Sequence, residues 1–499
     1  MKQLFHNGIL IPKYESKGFH IMFKGKKIAL NPEQGEMAVA WVRKLGTEYV
    51  KDKVFVRNFF DDFCKALGVE KSLPKDFDFS EIEKFVNKER EAKSSMSKEE
   101  KKKLAAERKV IRETNKEKYG FAVIDGERVE LGNYMAEPSS IFIGRGKHPL
   151  RGKWKKGATE SDIILNLSPD SKMPEGKWKA VVWQQNSMWI AKWDDKLRGK
   201  EKYIWISDFS PMKQEREIEK FEKAKELEKK FEVIKNHIIK NLDSDDLKKR
   251  KIATVCYLIY ALSIRLGDEK DEDETDTVGA TTLIPKNITI YQSSLVKFNF
   301  IGKDYVKWNK EVVLPENVVR NLKEFISNSK SFVFDGVRSE DVNAFLNEIV
   351  EGITAKVFRT YHASKAVKEY IENVKVKKDD PEAYKKYLAT MANLQAAIVC
   401  NHKRKLPKKW KETLEKKKER LEQLKLKKTK KSKEAVKALK MKIKLMKETK
   451  DYNLNTSLKS YVDPRIYYKW FKKVDFDWKK YYSKALQKKF SWVEKEKKS

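Results

Sequence analysis

Five residues in the second half of the chain have the types needed to transfer a phosphoryl group through a tyrosine. In chain order they are Arg265, Lys303, Arg359, His402 and Tyr461. A tyrosine that attacks phosphorus needs cations and hydrogen-bond donors around the developing oxyanions, and an acid for the leaving oxygen. A phenol has an ordinary pKa of about 10, so it also needs positive potential to attack as phenolate. The set therefore predicts phosphotyrosine chemistry.

Taken singly, each of these residues has a commoner structural explanation. Arg265 follows an apolar segment, where an arginine often only stabilises the C-terminal end of a helix dipole. Lys303 is expected at a hairpin tip, where most lysines are merely solvated, and most histidines beside basic residues, as His402 is, are structural. The acidic stretch 268–276 lacks the spacing and glycine of a calcium loop, so we expect a solvated loop that orients Arg265.

The composition points to a polyanionic partner. The 499 residues include 110 Lys and Arg against 74 Asp and Glu, a formal net charge of +36. Nucleic acid is favoured over a membrane surface, and a lysine-rich protein without any such partner is the alternative. The excess charge is spread over several segments, which argues against that alternative.

The cysteines, and the sequence motifs that are missing, argue against structural zinc, disulfides and bound cofactors. Cys64, Cys256 and Cys400 are far apart and lack CxxC spacing, so we expect a reducing compartment without structural zinc or disulfides. The sequence has no HExxH pair, no GxxxxGK[ST] loop and no GxGxxG turn, so neither a metal nor a nucleotide cofactor is predicted. The longest apolar stretch, 255–264, is too short to cross a bilayer, and the N-terminus lacks a signal-peptide core. A soluble intracellular protein with no membrane partner is expected.

The first ~210 residues are predicted to mix strands and helices. Turn dipeptides at Lys24-Gly25 and Asp125-Gly126 predict hairpins over 20–30 and 121–131. One charged helical run is predicted over 84–119. Aromatic-rich strands are predicted within 178–208, on both sides of a polar turn.

From there the chain is predicted to be mainly helical. An apolar stripe with three- and four-residue spacing predicts one helix over 212–242, and 251–264 reads as a core helix that Arg265 ends and Gly267 terminates. Alternating apolar residues on both sides of Lys303 predict a hairpin with this lysine at its tip. Helices are also predicted to dominate 315–405.

Residues 408–450 differ from the rest of the chain. They hold 19 basic and six acidic residues, a net charge of +13, yet their few leucines keep helical spacing on both sides of a KKTKKS break. This pattern predicts two thin helices that pack as an antiparallel hairpin and project from the body. A disordered basic tether is the alternative.

Several sequence blocks together resemble the eukaryotic-type IB DNA topoisomerases, in the order of that family and over essentially the whole chain. Each block is weak alone, but the ordered set is specific. The blocks are FVRNFF (55–60), SKEEK (97–101), GRGKHP (144–149), RLGDEK (265–270), TDTVG (275–279), FIGKD (300–304), TAKVFRTY (354–361), CNH (400–402) and SYVDPRI (460–466).

The resemblance implies a multidomain α+β fold that clamps DNA. It implies an N-terminal cap lobe of mixed α/β structure over 1–211, which closes over the duplex, and a mainly helical catalytic core over 212–405, of the tyrosine recombinase and topoisomerase IB type. A helical-hairpin linker over 406–450 and a small helical C-terminal domain over 451–499 with the nucleophilic tyrosine complete the arrangement.

The resemblance also implies a role for each residue of the set. Tyr461 is the nucleophile that forms a 3′-phosphotyrosine, Lys303 is the general acid, and Arg265, Arg359 and His402 hold the non-bridging oxygens. The implied activity is relaxation of supercoiled double-stranded DNA by a monomer without ATP, metal or other cofactor. The residues implied to contact DNA near the cleaved bond are Arg145, Lys147, His148, Asp304, Lys356 and Ser460.

Departures from the family pattern leave the five positions intact. Ser460 stands where many members have asparagine, so an amide hydrogen bond is not expected there, and Asp268 stands where they often have asparagine. The chain opens almost directly into the cap lobe, so we expect a tail-less, archaeal-like member at the nucleoid; a eukaryotic member would be nuclear.

Two other functions compete with this interpretation. Tyrosine recombinases use a similar constellation but exchange strands as oligomers, which the cap blocks, the basic hairpin and the KxxR spacing from Lys356 to Arg359 disfavour. A non-catalytic DNA-binding protein would explain the charge but not the ordered catalytic set.

Overall fold

The computed structural model describes residues 1–144, 146–268, 277–291, 294–427 and 429–495, with only the backbone of Asp304 and Lys430. The chain forms two compact units, Met1–Lys213 and Gln214–Ser499. The predicted multidomain architecture of mixed helices and strands is confirmed. Its finer division into four domains stays a prediction. Within the described ranges, no helix combines the length and hydropathy needed to cross a bilayer.

The first unit contains small sheets interleaved with helices. The sheet with the most strands among the described residues of this unit has four, in the order β10-β9-β11-β12 along the sheet; the residue ranges of all strands and helices of the unit follow. Its elements are β1 Leu4–His6, β2 His20–Phe23, β3 Lys26–Ala29, α1 Pro32–Val42, α2 Lys53–Leu67, β4 Phe77–Asp78, α3 Ser80–Ser95, α4 Lys98–Tyr119, β5 Phe121–Ile124, β6 Glu127–Glu130, β7 Ser140–Ile141, β8 Trp154–Lys155, β9 Ile164–Asn166, β10 Ala180–Val182, β11 Trp189–Asp194 and β12 Glu201–Trp205.

Both hairpins predicted in this unit are confirmed. The strands β2 and β3 pair antiparallel, as do β5 and β6. The two connecting residues have positive φ in each case, 48° and 79° at Lys24 and Gly25, and 50° and 85° at Asp125 and Gly126. Two successive left-handed residues match the twist of the flanking strands, which is why these dipeptides predict a tight turn.

The charged helical run predicted over 84–119 is confirmed and is formed by two helices, α3 and α4. The break falls at Met96 and Ser97, because Ser97 caps the second helix. Its hydroxyl accepts the backbone N–H of Glu100 at 3.1 Å, and the Glu100 carboxylate accepts the Ser97 N–H at 2.6 Å. This reciprocal pair satisfies two N–H groups that the first turn of a helix leaves unbonded.

The second unit is mainly helical, with one three-stranded antiparallel sheet in the order β13-β14-β15. The helix α5 begins shortly before the boundary between the units. The elements are α5 Pro211–Lys229, α6 Phe231–Asn241, α7 Leu247–Leu262, β13 Ile288–Ile290, β14 Leu295–Gly302, β15 Val306–Val313, α8 Glu316–Ser327, α9 Ser339–Asn347, α10 Ala355–Asn373, α11 Glu382–Val399, α12 Trp410–Leu426, α13 Lys430–Glu448, α14 Leu454–Ser460, α15 Pro464–Lys473 and α16 Lys484–Lys489.

Two helix boundaries predicted here are wrong. The stretch 212–242 is interrupted at Lys230, whose ψ of 12° ends the regular helical path between α5 and α6. The core helix α7 ends at Leu262 rather than near Gly267, because Ser263 adopts a left-handed φ of 54°. The Ser263 N–H still bonds to the Ile259 carbonyl at 2.9 Å, so the last turn of α7 is closed before the left-handed Ser263 directs the chain out of the helix.

The helical hairpin predicted over 408–450 is present. Its helices α12 and α13 are joined by a short connection and share a thin core of Leu414, Leu439 and Ile443. The predicted projection from the body needs one correction, since the end of α13 packs against α11. There Tyr387 donates its hydroxyl to Glu448 at 3.3 Å. The base of the hairpin is therefore anchored on the helix that precedes His402.

The helix α10 connects the two hydrophobic cores of the second unit. Tyr361 belongs to the core formed by α7, α8 and the sheet, whereas Ala363 and Val367 belong to the core around α11 and α15. An alternation of faces along one helix accounts for this, because residues two apart point in different directions. Side chains near the N-terminal end of α10 are thus held by packing on both sides.

Candidate active site

Arg359, on α10, is the centre of the site and is only 5% exposed. Its guanidinium donates to the carbonyl oxygens of Ser263 and Cys400, the latter at 2.9 Å. Burying an arginine is costly unless its donors are bonded, and these two carbonyls offset part of that cost, since Nε has no partner among the described residues. The same bonds tie the end of α7 to the end of α11.

Left-handed residues at the ends of two helices present these carbonyls. Ser263 ends α7, and Asn401, with φ of 52°, follows α11. After α11, the N–H of Asn401 bonds to the Ile398 carbonyl at 3.0 Å and that of His402 to the Ala397 carbonyl at 2.8 Å. This pair of bonds is the Schellman motif, in which asparagine tolerates the left-handed position. It turns His402 back toward Arg359.

His402 is 7% exposed and neutral. Burial, with added repulsion from Arg359 and Arg265, lowers its pKa to about 3. Arg359 donates to Nε2 at 3.3 Å, so the single proton of the neutral ring is on Nδ1. Among the described residues Nδ1 has no hydrogen-bond partner. The ring therefore retains one N–H donor beside the tyrosine at any pH near neutrality.

Tyr461, the residue that follows α14, packs against both groups. Its ring centroid lies 5.1 Å from that of His402 and 5.2 Å from the central guanidinium carbon of Arg359. Burial raises the pKa of the phenol, but the positive charges of Arg359 and Arg265 outweigh it, so the pKa lies below its ordinary value of 10. A lowered pKa is what a tyrosine nucleophile requires.

The sequence predicted Arg265 at the end of the core helix. It lies instead in the loop that follows α7. Its carbonyl accepts the Ala280 N–H at 2.8 Å. The segments that contain Gly267 and Gly279 cross closely there. A Cβ on Gly279 would lie 2.2 Å from the Leu266 carbonyl oxygen, and one on Gly267 would lie 3.0 Å from the Gly279 Cα. Gly267 thus permits the crossing that holds Arg265 near Tyr461.

The acidic loop was predicted to orient Arg265. Most of it, 269–276, lies outside the described residues. Its first member, Asp268, instead accepts the Thr281 hydroxyl and the Ser339 N–H, both at 2.7 Å. Asp268 therefore anchors the loop to α9 and to the segment that crosses Gly267.

Lys303 is at the predicted hairpin tip, in the turn between β14 and β15, and is exposed. The contacts given above for Arg265, Arg359, His402 and Tyr461 do not include this lysine. Both stems of the hairpin are nevertheless tied to the site. The Ile301 carbonyl accepts the Val278 N–H at 2.7 Å, and the Asn401 amide donates to the Lys307 carbonyl at 3.4 Å. The structure thus brings four of the five residues together and places the fifth on a neighbouring hairpin.

The residues predicted to contact DNA are in different situations. Lys356 is exposed on the first turn of α10, and Ser460 is half-buried with its carbonyl bonded to Lys220 at 3.0 Å. In the first unit Lys147 is exposed, whereas His148 is 8% exposed and its Nδ1 accepts the Leu150 N–H at 3.1 Å. His148 therefore shapes its own loop and does not present its ring to solvent.

Two further predicted DNA contacts cannot be placed. Arg145 lies outside the described residues, and of Asp304 only the backbone is described, within the turn 303–305. Metal ligation has no candidate in the described ranges, where no group of three or more His, Cys, Asp or Glu is arranged to hold an ion.

Sequence reasoning missed Ser364. Its hydroxyl donates to the Tyr461 carbonyl at 3.2 Å and accepts the Asp463 N–H at 3.0 Å. The only signal in the sequence is its position on the same predicted helix as Arg359, which alone does not distinguish it from other helical serines.

Comparison with known proteins places these features in a family. The models of three families match in succession: eukaryotic DNA topoisomerase I, DNA binding fragment, over 1–206; eukaryotic DNA topoisomerase I, catalytic core, over 209–436; and C-terminal topoisomerase domain over 433–499.

Individual relatives match almost the whole chain. Human DNA topoisomerase 1 is 33% identical over 99% of this chain and 70% of its own length. DNA topoisomerase 1 beta of Arabidopsis thaliana is 34% identical over 99% of the chain, and DNA topoisomerase 1 of Drosophila melanogaster is 32% identical over 98%. The chain spans only 58% and 54% of the lengths of these plant and fly relatives.

Proposed function

Since this chain belongs to the eukaryotic DNA topoisomerase I family, we propose that it relaxes supercoiled double-stranded DNA by reversible cleavage of one strand. The observation that carries the proposal is the packing of Arg359 and His402 against the ring of Tyr461. The net charge of +36 supports DNA as the substrate, because cationic side chains supply affinity for the phosphate backbone.

In the proposed reaction, the Tyr461 phenolate oxygen attacks the scissile phosphorus while the bond from phosphorus to the 5′ oxygen breaks. Lys303 gives a proton to that leaving oxygen, so the products are a 3′-phosphotyrosine and a 5′-hydroxyl. The phosphodiester bond energy is conserved in the new ester. Attack by the 5′-hydroxyl reverses every step after the free strand has rotated.

The charge that develops on the two non-bridging oxygens is met by Arg265, Arg359 and His402 in this proposal. Arg359 is already held by carbonyls of two helices, so its position needs no rearrangement when charge develops. The Nδ1–H of neutral His402 supplies a hydrogen-bond donor, and because the pKa of this ring is about 3, its charge does not change near pH 7. Preorganised donors of this kind are the main source of transition-state stabilisation.

We further propose the finer organisation implied by the family. Residues 1–211 form a DNA-clamping cap lobe, 212–405 the catalytic core, 406–450 a basic linker and 451–499 the domain with the nucleophile. Lys147 and Lys356, both exposed, supply phosphate contacts near the cut, Arg145, Asp304 and Ser460 lie beside the scissile step, and His148 orders the loop that carries Lys147. The enzyme acts as a monomer wherever the DNA of the cell resides, without a metal or nucleotide cofactor.

A relaxation assay tests the proposed function. Because cationic side chains replace a metal and the ester stores the bond energy, plasmids supercoiled in either sense should relax in EDTA without ATP. Relaxation should proceed to completion at enzyme-to-plasmid ratios below one. A strict requirement for ATP or a divalent ion, or relaxation of negative supercoils alone, would contradict the proposal.

The role of Lys303 gives a second prediction. Lys303→Ala should slow cleavage of ordinary DNA by about 10²-fold or more, since proton transfer to the leaving oxygen is lost. A 5′-bridging phosphorothiolate, whose leaving sulfur needs no proton, should restore most of the rate. Lys307→Ala removes an exposed lysine of the same hairpin and serves as the matched control, with near-normal cleavage. Equal rescue of Arg359→Ala by the sulfur substrate would exclude Lys303 as the acid.

A further inference from the structure

Three successive backbone carbonyls around the tyrosine each accept a hydrogen bond from a side chain. In the stretch 459–461, the first carbonyl accepts from Lys489 Nζ at 3.1 Å and the second from Lys220 Nζ at 3.0 Å. The third, that of Tyr461, accepts from the Ser364 hydroxyl at 3.2 Å. The three donors come from α16, α5 and α10, so elements far apart in sequence converge on one turn.

These bonds replace partners that the local fold does not supply. The helix α14 has only seven residues, and its last carbonyls lack intrahelical N–H partners. Lysines are favourable at a helix C-terminus, where the carbonyl dipoles accumulate partial negative charge. Here both ammonium groups are also paired with Glu217, at 2.5 Å for Lys220 and 3.3 Å for Lys489. A short helix that would fray is thereby held at its end.

The ammonium groups of Lys220 and Lys489 are shielded from solvent to different degrees. Lys489 is 8% exposed. Burial lowers the pKa of Lys220, Glu217 opposes the shift, and the positive charges of Lys489 and Lys356 add to it. Withdrawing an ammonium group from water, almost fully at Lys489 and partly at Lys220, whose side chain is 27% exposed, is unfavourable unless its bonds are made, so the arrangement constrains the carbonyls as well as the lysines.

Ser364 holds both sides of the turn between α14 and α15. Its oxygen donates to the Tyr461 carbonyl and accepts the Asp463 N–H at 3.0 Å. Asp463 in turn caps α15 by accepting the Arg465 N–H at 2.9 Å. Ser364 also lies on the same helix as Arg359, so the rigid backbone of α10 sets the distance between that guanidinium and the backbone of Tyr461.

We propose that Ser364, assisted by Lys220 and Lys489, is a positioning residue that holds the Tyr461 turn in register with Arg359 for attack on the scissile phosphate. The inference rests on the proposed cleavage reaction. The Ser364 hydroxyl bonds to the backbone on both sides of Tyr461, so it acts through the backbone. A displacement of about 1 Å between nucleophile and phosphate can cost about 10²-fold in rate, so two lost hydrogen bonds in this turn should be visible in the chemistry.

The test compares Ser364→Ala with Ser364→Thr in single-turnover cleavage of a suicide substrate whose downstream fragment dissociates. The alanine variant should cleave about tenfold more slowly, with DNA affinity within about twofold of wild type. Its pH–rate profile should move toward alkaline pH, because the phenol is less well held against Arg359. Threonine retains the hydroxyl, and a cavity of about 370 Å³ beside Ser364 has room for the added methyl group, so cleavage should recover to within about twofold.

Ser327→Ala is the matched control. Ser327 is an exposed serine on α8 whose hydroxyl donates to the Lys323 carbonyl of its own helix at 3.0 Å, and its loss should leave cleavage unchanged. Thermal unfolding of each variant separates positioning from global destabilisation. If Ser364→Ala melts more than about 5 °C below wild type, Lys489→Met is measured in its place and should show the same slower cleavage and alkaline shift.

The outcomes are distinguishable. Cleavage by Ser364→Ala at the wild-type rate would overturn the inference, and so would a slower rate with an unmoved pH profile or without rescue by threonine. Failure of the wild-type protein itself to form a covalent adduct would instead refute the proposed function, and the positioning role with it.

Discussion

Replacing Tyr461 with phenylalanine is expected to abolish the covalent protein–DNA adduct while DNA affinity stays within about twofold of wild type. The phenylalanine ring still packs against Arg359 and His402, so the fold of the site should persist. Only the attacking oxygen is lost, and without it the rate of relaxation should fall by about 10⁴-fold or more. Denaturant-trapped adduct on a labelled duplex and plasmid relaxation measure the two effects.

Tyr468→Phe is the matched control for this experiment. Tyr468 lies on α15, and its ring packs on Trp478. Removing its hydroxyl should leave adduct formation and relaxation at wild-type levels. Adduct formation by Tyr461→Phe at more than a trace would show that another residue is the nucleophile.

Replacing Arg359 with alanine should have the next largest effect. Cleavage should slow by about 10²- to 10³-fold, since a preorganised donor to a phosphate oxygen is lost. The positive charge lowers the pKa of Tyr461, so its removal raises that pKa and moves the pH–rate profile toward alkaline pH. The unfolding temperature should also fall, because the Ser263 and Cys400 carbonyls lose their buried donor.

Arg359→Lys separates charge from geometry. A lysine keeps the charge but carries all its donors on one nitrogen and cannot reproduce the planar guanidinium fork, so the pH profile should stay near that of wild type while the rate remains low. Arg320→Ala removes an exposed arginine of α8 and controls for loss of one positive charge. A wild-type rate in Arg359→Ala, or an acidic shift of its profile, would contradict the assigned role.

Local structure was predictable where residue types at the position itself determine the backbone conformation. Lys24-Gly25 and Asp125-Gly126 predict hairpins because these residue types reach positive φ at low cost. The end of α7 was not predictable in this way. Serine seldom adopts the left-handed conformation found at Ser263, and the glycine that looked like the terminator, Gly267, is needed where two backbones cross.

The candidate site was predictable in its residue types and chain order but not in its contacts. Arg359 could be nominated from its surroundings, yet its bonds to the Ser263 and Cys400 carbonyls depend on how two helices end. The Asn401-His402 pair does carry a readable signal, since asparagine is favoured just past a helix end and fixes the direction of the next residue. His148 was predicted to contact DNA, and its burial could not be read from a loop sequence.

Hydrogen bonds between segments far apart in the chain could not be predicted from the sequence. Ser364 is one of several serines on predicted helices, and only the packing of α10 against the turn after α14 brings it to Tyr461. Lys220 and Lys489 are two among the 110 basic residues and have no local feature that marks them. Tertiary packing, rather than local preference, selects such residues.

A covalent bond between Tyr461 and a 3′ phosphate of DNA is tested most directly by stopping the reaction with denaturant in EDTA. The scissile strand is labelled at its 5′ end in one sample and at its 3′ end in another, and the adduct is then mapped by proteolysis. The 5′ label should migrate with the protein, the 3′-labelled fragment should be released with a free 5′-hydroxyl, and the modified peptide should contain Tyr461. Retention of the 3′ label, attachment at another residue, or the absence of any adduct would contradict the proposed mechanism.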